Sequence, residues 1–257
     1  MINIQDHTGK FISIPSPPQR IVSLVPSQTE LLYDLGLEER VVGITKFCVH
    51  PQKWFESKKR VGGTKNLNNE IIKSLQPDLI IANKEENVKT QINVIEAYCP
   101  VFTTHVFDLH SALKMIYDVG IMTQTNEAAD TLSATILEKF NTLSFGNSLR
   151  ALYLIWRQPY MAAGGGTFIS EIMKYAGLVN CMAHKDRYPE VSVQDIIDLN
   201  PDIILLSSEP YPFTETHIDE ICSFMPTART VLVNGEYFSW YGSRLLQSPS
   251  YFKSIFI

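Results

Sequence analysis

The stretch IKSLQPDLII at residues 72–81 is written a second time at 196–205, as IIDLNPDIIL. Each copy reads as the end of an amphipathic helix, a Pro-Asp stop and a buried strand. The residue before a proline is pushed out of the helical region, and the apolar run that follows has no polar alternation. A chain that repeats such a unit is constrained to two related halves. The halves also open alike. RIVSLVPSQTELLYDLG at 20–36 runs from an apolar strand through Pro26 into a helix. Ser27 is the expected N-cap with Glu30 completing the box, Leu31, Leu32 and Leu35 share a face, and Gly36 is the stop. GGGTFISEIMKYAGL at 164–178 follows the apolar stretches 151–156 and 160–163 and again gives loop, helix and a Gly-Leu stop. Open α/β sheets place ligands at the C-terminal ends of their strands. The two signature loops are therefore expected to face one ligand held between two lobes.

The rest of the chain fits around these units. A hairpin is expected over 2–14, turning at Asp6 to Gly9, then a stiff connector at 15–18. Strand 41–45, loops 46–51 and 62–65, helix 68–75, strand 79–82, helix 88–98 and strand 101–104 complete lobe one. Asp108 caps a helix with Leu109, Ala112, Leu113 and Ile116 on one face, broken at Gln124 to Asn126. A second helix, 126–143, carries Ala128, Leu132, Ile136 and Phe140. At 1.5 Å per residue it spans about 27 Å, long enough to run along both lobes. After a turn at 144–148, lobe two gives strand 151–156, the glycine-rich unit, helix 193–199, strand 203–207, helix 214–224, strand 231–234 and a short C-terminal helix rich in Tyr and Phe. The predicted class is α/β: two Rossmann-like lobes with mostly parallel sheets joined by a single long backbone helix, divided 1–124, 125–145 and 146–257.

Composition narrows the function. A net charge of -5 without a basic block argues against nucleic acid. No apolar run approaches the roughly 20 residues of a transmembrane helix. The segment 1–6 has neither the basic nor the apolar part of a signal peptide. The protein is thus expected to be periplasmic or membrane-associated if a signal was removed upstream, and cytoplasmic otherwise. Cys48, Cys99, Cys181 and Cys222 are scattered without a C-x-x-C pair, so free thiols are expected, with a disulfide as the alternative. The six histidines show no H-E-x-x-H spacing, and no metal site is expected. His50 and His105 stay open as ligands because they lie near strand ends. Neither a G-x-S-x-G elbow nor a G-x-x-x-x-G-K-[ST] or G-x-G-x-x-G loop appears. No catalytic role and no resident cofactor are expected. Residues 164–166 read as a tight turn, with a ligand contact through their amides as the alternative.

RIVSLVPSQTELLYDLGL, VGITKFCVHP, LQPDLIIA, LNPDIILL and GGGTFISEIMKYAGLVN stand in an order and spacing that resembles the helical-backbone (class III) periplasmic substrate-binding proteins. The resemblance is to the vitamin B12-binding and iron-siderophore-binding branch of ABC importers. It implies ligand capture between two lobes, limited closure because a continuous helix resists bending, and handover to an ABC permease. The permease-docking glutamate of that branch corresponds to Glu70 in the first half, whereas the second half has Gln194. Where the B12 binders place a tryptophan ahead of the first docking glutamate, this chain has Thr64.

The expected ligand-binding residues are Ser27, Lys46, Phe47, His50, Thr64, Lys65, Lys84, Trp156, Arg157, Gly165, Thr167, Phe168, Arg187, Tyr188, Tyr211, Trp240, Tyr241 and Arg244. Aromatic faces supply stacking area and cations supply charge-assisted hydrogen bonds, a mix that points to a large, partly flat, anionic ligand such as a corrinoid, a haem-like ring or a ferric chelate. The function expected is that of an ABC importer's substrate-binding protein for a small-molecule metal chelate or corrinoid, acting as a monomer. Two alternatives stay open: a cytoplasmic relative without a permease that senses, buffers or delivers a cofactor, and a chelatase-like enzyme using the same cleft.

Overall fold

The structure, a computed structural model, describes residues 1–15, 17–146 and 148–256. The expected connector 15–18 and turn 144–148 each include a position outside the described residues. The chain divides into two compact units. The first comprises Met1–Val106, His110–Ile136 and Tyr241–Arg244. The second comprises Phe107–Leu109, Leu137–Trp240 and Leu245–Ile257.

In the first unit, β1 (Ile2–Gln5) and β2 (Phe11–Ile14) form the expected antiparallel hairpin. Asp6 shapes its turn by accepting hydrogen bonds from the Thr8 and Lys10 amides at 2.9 Å each. The elements then run β3 (Ile21–Ser23), α1 (Pro26–Asp34), β4 (Val41–Ile44), α2 (Gln52–Ser57), β5 (Lys59–Arg60), β6 (Gly62–Gly63), β7 (Asn66–Leu67), α3 (Asn69–Ser74), β8 (Leu79–Asn83), α4 (Lys89–Glu96), β9 (Val101–Thr104), α5 (Leu109–Thr123) and α6 (Asn126–Asn141). Strands β5-β4-β3-β8-β9 make one sheet, parallel throughout. Its central strands are buried apolar runs, as a sheet covered on both faces requires. Val22, Leu24, Ile80 and Ala82 pack with Ile72, Ile92 and Ile95 of α3 and α4.

The second unit follows with β10 (Leu149–Trp156), β11 (Tyr160–Ala162), α7 (Phe168–Tyr175), β12 (Leu178–Asn180), β13 (Glu190–Val191), α8 (Val193–Leu199), β14 (Ile203–Ser207), α9 (Glu215–Phe224), β15 (Arg229–Val233), α10 (Glu236–Ser239) and α11 (Ser248–Phe256). Its sheet runs β13-β11-β10-β14-β15, with β12 also on β10. The β10, β12, β14 and β15 pairings are parallel, while β11 and β13 pair antiparallel. Leu152, Leu154, Ile204 and Leu206 form its core with Ile196 and Ile221.

The repeat seen in the sequence is a repeat in three dimensions. β3 pairs with β8 as Ile21↔Leu79, and β10 pairs with β14 as Ala151↔Ile203. Gln76 and Asn200 sit before the two prolines with left-handed backbone, φ 48° and 42°. Asp78 accepts the Gln19 and Arg20 amides at 2.7 and 2.8 Å, and Asp202 accepts the Arg150 amide at 2.7 Å. Each Pro-Asp pair therefore ties the start of its own strand to the strand beside it.

Several expectations need correction. Pro26 occupies the first turn of α1, its N-cap is Val25 without a side-chain bond, and Ser27 lies inside the helix. Proline at that position lacks one of the N–H groups that a helix start leaves unpaired, and its fixed φ suits the first turn. Gly36 does stop α1, with φ 74°, its amide on Tyr33 and the Leu37 amide on Leu32; this is the left-handed closure that glycine adopts most easily. On α6 it is Ala129, not Ala128, that is buried with Ile136 and Phe140. Residues 164–165 are not a simple turn: their amides bond the Arg187 and Lys185 carbonyls at 2.7 and 2.6 Å, and the chain turns at Gly166. The C-terminal region is α10, a 3-10 turn at Ser243–Leu246 and α11 instead of one short helix. Helix α2, with its buried Trp54, and strands β5, β6, β7, β12 and β13 were not expected, and residues 62–63, expected as loop, pair with 66–67.

Candidate functional site

Ser27, Lys46, Phe47, His50, Lys84, Arg157 and Tyr211 follow the C-terminal ends of parallel strands, whereas Thr64 and Lys65 turn the antiparallel β6–β7 hairpin and Gly165, Thr167 and Phe168 follow the antiparallel β11. In the first unit these loops are tied into one rim. Asn87 donates to the carbonyls of Thr64 and Leu24 at 3.0 and 3.4 Å and accepts the Asn83 amide at 2.9 Å. One side chain thus pins the loops after β3 and β8 and the β6–β7 hairpin. The Lys46 amide bonds the Gly62 carbonyl at 2.8 Å, bringing the loop after β4 to the same hairpin. Lys46 and Phe47 project from it, the ammonium 5.1 Å from the ring centroid and the ring half exposed. Lys65 bonds the Glu85 carbonyl. Lys84 is exposed and Thr64 is buried.

Ser27 is buried at the start of α1, and the neighbouring Gln28 amide donates to the buried Thr104 hydroxyl. The strap Tyr241–Arg244 belongs to this unit. A Cβ on Gly242 would stand 3.2 Å from the Ser27 carbonyl, so the strap passes close against the start of α1. Arg244 is paired with Glu30 at 2.6 and 2.9 Å. Burial raises the Glu30 pKa, and Arg244 opposes that rise. His50 is half buried on the loop after β4. His105 lies 3.9 Å from Glu85.

In the second unit, Trp156 ends β10 as a residue 40% exposed, and its ring packs edge-on against Tyr211 at 5.6 Å. Tyr211 continues into Phe213 and His217, its hydroxyl 3.1 Å from His217 Nε2. Arg157 turns to Glu220 on α9, Nη2 to Oε2 at 2.8 Å and Nε to Oε1 at 3.3 Å. The Tyr160 hydroxyl donates to the same carboxylate at 2.6 Å. The Tyr160 bond, with help from Arg157, holds the Glu220 pKa below its ordinary value against burial. Burial and then Glu220 push the Tyr160 pKa up to about 12.

A second group forms around the glycine run. Thr167 caps α7 by accepting the Ser170 amide at 3.2 Å, and Phe168 is buried behind it. Gly165 pairs with the backbone of Asp186, and a Cβ there would lie 2.3 Å from the Ala183 carbonyl. Arg187 lies over Tyr188 at 5.6 Å. Trp240 is buried, its Nε1 donating to Glu209 at 2.9 Å. Glu70 on α3 and Gln194 on α8 are exposed.

Glu220 and the pairing role of Glu30 were missed by sequence reasoning. Glu220 lies on a different element from Arg157, and no spacing rule connects them. Among the described residues, no group of three or more His, Cys, Asp or Glu side chains converges to hold a metal ion, and the four cysteines are free thiols. A groove of about 360 Å³ in the first unit, lined by Lys10, Ile12 and Glu96 to Val101, lies apart from these loops. Among the described residues, no helix is long and apolar enough to cross a membrane.

Comparison with known proteins bears on the same elements. The sequence profile of the family described as "Periplasmic binding protein" matches residues 21–227. A vitamin B12-binding protein of Yersinia pestis (strain Pestoides F) is 25% identical over 237 residues, 89% of this chain and 82% of the relative. An uncharacterised ABC transporter substrate-binding lipoprotein of Bacillus subtilis (strain 168) is 28% identical over 220 residues, 79% of this chain and 68% of the relative. A periplasmic heme-binding protein from Pseudomonas aeruginosa superposes with a TM-score of 0.81 at 20% identity, covering 93% of this chain and 92% of the other. The periplasmic vitamin B12-binding protein of Vibrio cholerae superposes at 0.77 and 21% identity, covering 93% and 98%. At these identities the superpositions establish the fold.

Proposed function

The chain belongs to the periplasmic binding protein family, and we propose that it is the substrate-binding component of an ABC-type importer whose ligand is a corrinoid or another metal chelate. The observation that carries the reading is the Trp156 ring. A large aromatic residue left 40% exposed at the end of a core strand, backed edge-on by Tyr211, is a preformed platform for a flat conjugated ring. Phe47, half exposed on its own rim, offers a second apolar face in the first unit. Relatives described as binding vitamin B12 or heme, and one described as an ABC transporter lipoprotein, support the same class. The loop residues named above are the proposed ligand contacts, Glu70 the proposed permease contact, and residues 125–145 the segment that connects the lobes 1–124 and 146–257.

The mechanism is capture and release. Asn87 and the backbone bonds of residues 62–65 hold the first rim in place before a ligand arrives, and the Gly165–Asp186 pairing does so in the second unit, so little ordering entropy remains to be lost on binding. Equilibrium titration of the purified protein with cobalamin, haem and ferric siderophores, followed by tryptophan fluorescence, tests the class. Saturable quenching by one of them is expected; flat titrations with all three contradict it.

A further inference from the structure

Two of the three arginines expected to meet an anionic ligand, Arg157 and Arg244, already have anionic partners inside their own units, while the third, Arg187, lies over the Tyr188 ring. Arg157 gives Nη2 and Nε to the Glu220 carboxylate, at 2.8 and 3.3 Å, and Tyr160 donates to the same group. Arg244 gives Nη2 and Nε to Glu30 at 2.6 and 2.9 Å. A guanidinium matches one carboxylate with a two-pronged fork. With that fork occupied, the local charge of each pair sums to zero. A ligand carboxylate arriving at either arginine must compete with a fixed carboxylate for the guanidinium. Trp156, which lies next to Arg157, offers its exposed face without any charge requirement. The lysines on the first rim are solvent-exposed, where water and salt screen them.

Building on the chelate reading above, we propose that the site selects metal chelates without net negative charge, whose rims carry amides or other neutral hydrogen-bonding groups, and disfavours those bearing carboxylates or catecholates. Glu220 is the specificity-determining residue: by neutralising Arg157 beside the Trp156 platform, it removes the attraction an anionic rim would otherwise find there.

The test uses two matched pairs of probes on the purified full chain. One pair is cyanocobalamin and its hydrolysis product with carboxylates in place of side-chain amides. The other is a ferric trihydroxamate and a ferric tricatecholate. In whichever pair binds, the uncharged member is expected to bind about tenfold tighter or more, and added salt should leave that gap nearly unchanged because the paired arginines present no net charge to screen. Glu220→Gln releases the Arg157 charge and should raise affinity for the anionic member about three- to tenfold. Should that variant fail to fold, the salt dependence of the wild type decides. Equal or tighter binding of the anionic member, weakened by salt, overturns the charge proposal and leaves the chelate reading standing. Failure of all four probes to bind a cooperatively melting protein overturns both.

Discussion

Arg244 reaches back 214 positions along the chain to bind Glu30 through two hydrogen bonds, at 2.6 and 2.9 Å. The pair fastens the strap Tyr241–Arg244 to α1. Burial raises the Glu30 pKa despite Arg244, so this group's own contribution is fully present below pH 4.5 and is lost as pH rises through its folded value. Removing the guanidinium raises that pKa further. Arg244→Met should therefore destabilise the protein by about 2–4 kcal/mol at neutral pH, with a smaller penalty at pH 4, where Glu30 takes up a proton. Urea melts at the two pH values check this; a penalty independent of pH would show that the charge of Glu30 is not involved.

Asp118 should show the opposite slope. Burial alone would raise its pKa, but hydrogen bonds from His7 and Lys114 outweigh it, and the net shift is downward. His7 stands 2.8 Å away and joins the β1–β2 hairpin to α5. A depressed carboxylate contributes stability above its unfolded pKa, near 3.8, that is lost as pH falls through the folded value. The wild-type lead over Asp118→Asn, about 1–3 kcal/mol at pH 7, should shrink below pH 4. A lead that grows in acid would contradict the assignment.

Asp78 and Asp202 should behave as equivalents. Each carboxylate accepts the backbone amide at the start of the neighbouring strand, and Arg20 and Arg150 each donate to a carbonyl near the end of the preceding helix. Alanine at either position is expected to cost about 1–3 kcal/mol. Because the sites lie in different units, the double variant should be additive within about 0.5 kcal/mol. Chemical denaturation of the three variants measures this, and strong coupling would argue against separate roles.

Gly36 and Gly165 separate two reasons for glycine. Alanine at 36 meets no atom within 4 Å but inherits φ 74°, a cost of about 1 kcal/mol. Alanine at 165 would place its Cβ 2.3 Å from the Ala183 carbonyl, which forces the 164–166 segment off residues 183–187. Gly165→Ala should impair ligand binding as well as stability, and Gly36→Ala stability alone. Thermal melts with and without ligand distinguish them.

Much of the scaffold was legible because it is written in local rules. Helix 193–199 and strands 101–104 and 203–207 fall at their expected limits, since a cap, a Pro-Asp stop or a bounded apolar run marks each end. Helix α2 was missed because its apolar content is chiefly Trp54 and Phe55, too little to show a period. Strands β12 and β13 were missed because short segments are defined by their partners on β10 and β11, not by their own composition. The candidate site was legible as residue types on particular loops. Its charge balance was not: Arg157–Glu220 and Arg244–Glu30 join residues far apart in sequence, and no motif spacing reports such pairings.

The most direct test of the central claim is ligand-induced stabilisation of the wild type and Trp156→Ala, melted side by side with cyanocobalamin, haemin and a ferric trihydroxamate. A ligand that binds the folded state raises the melting temperature with its concentration, by about 2.7 kcal/mol of added stability at 100 times Kd. The account predicts a dose-dependent rise with at least one chelate, largely lost in Trp156→Ala while the unliganded melt stays within about 1 kcal/mol of wild type. An unchanged melting temperature with every chelate, or a rise that survives loss of the Trp156 ring, would contradict it.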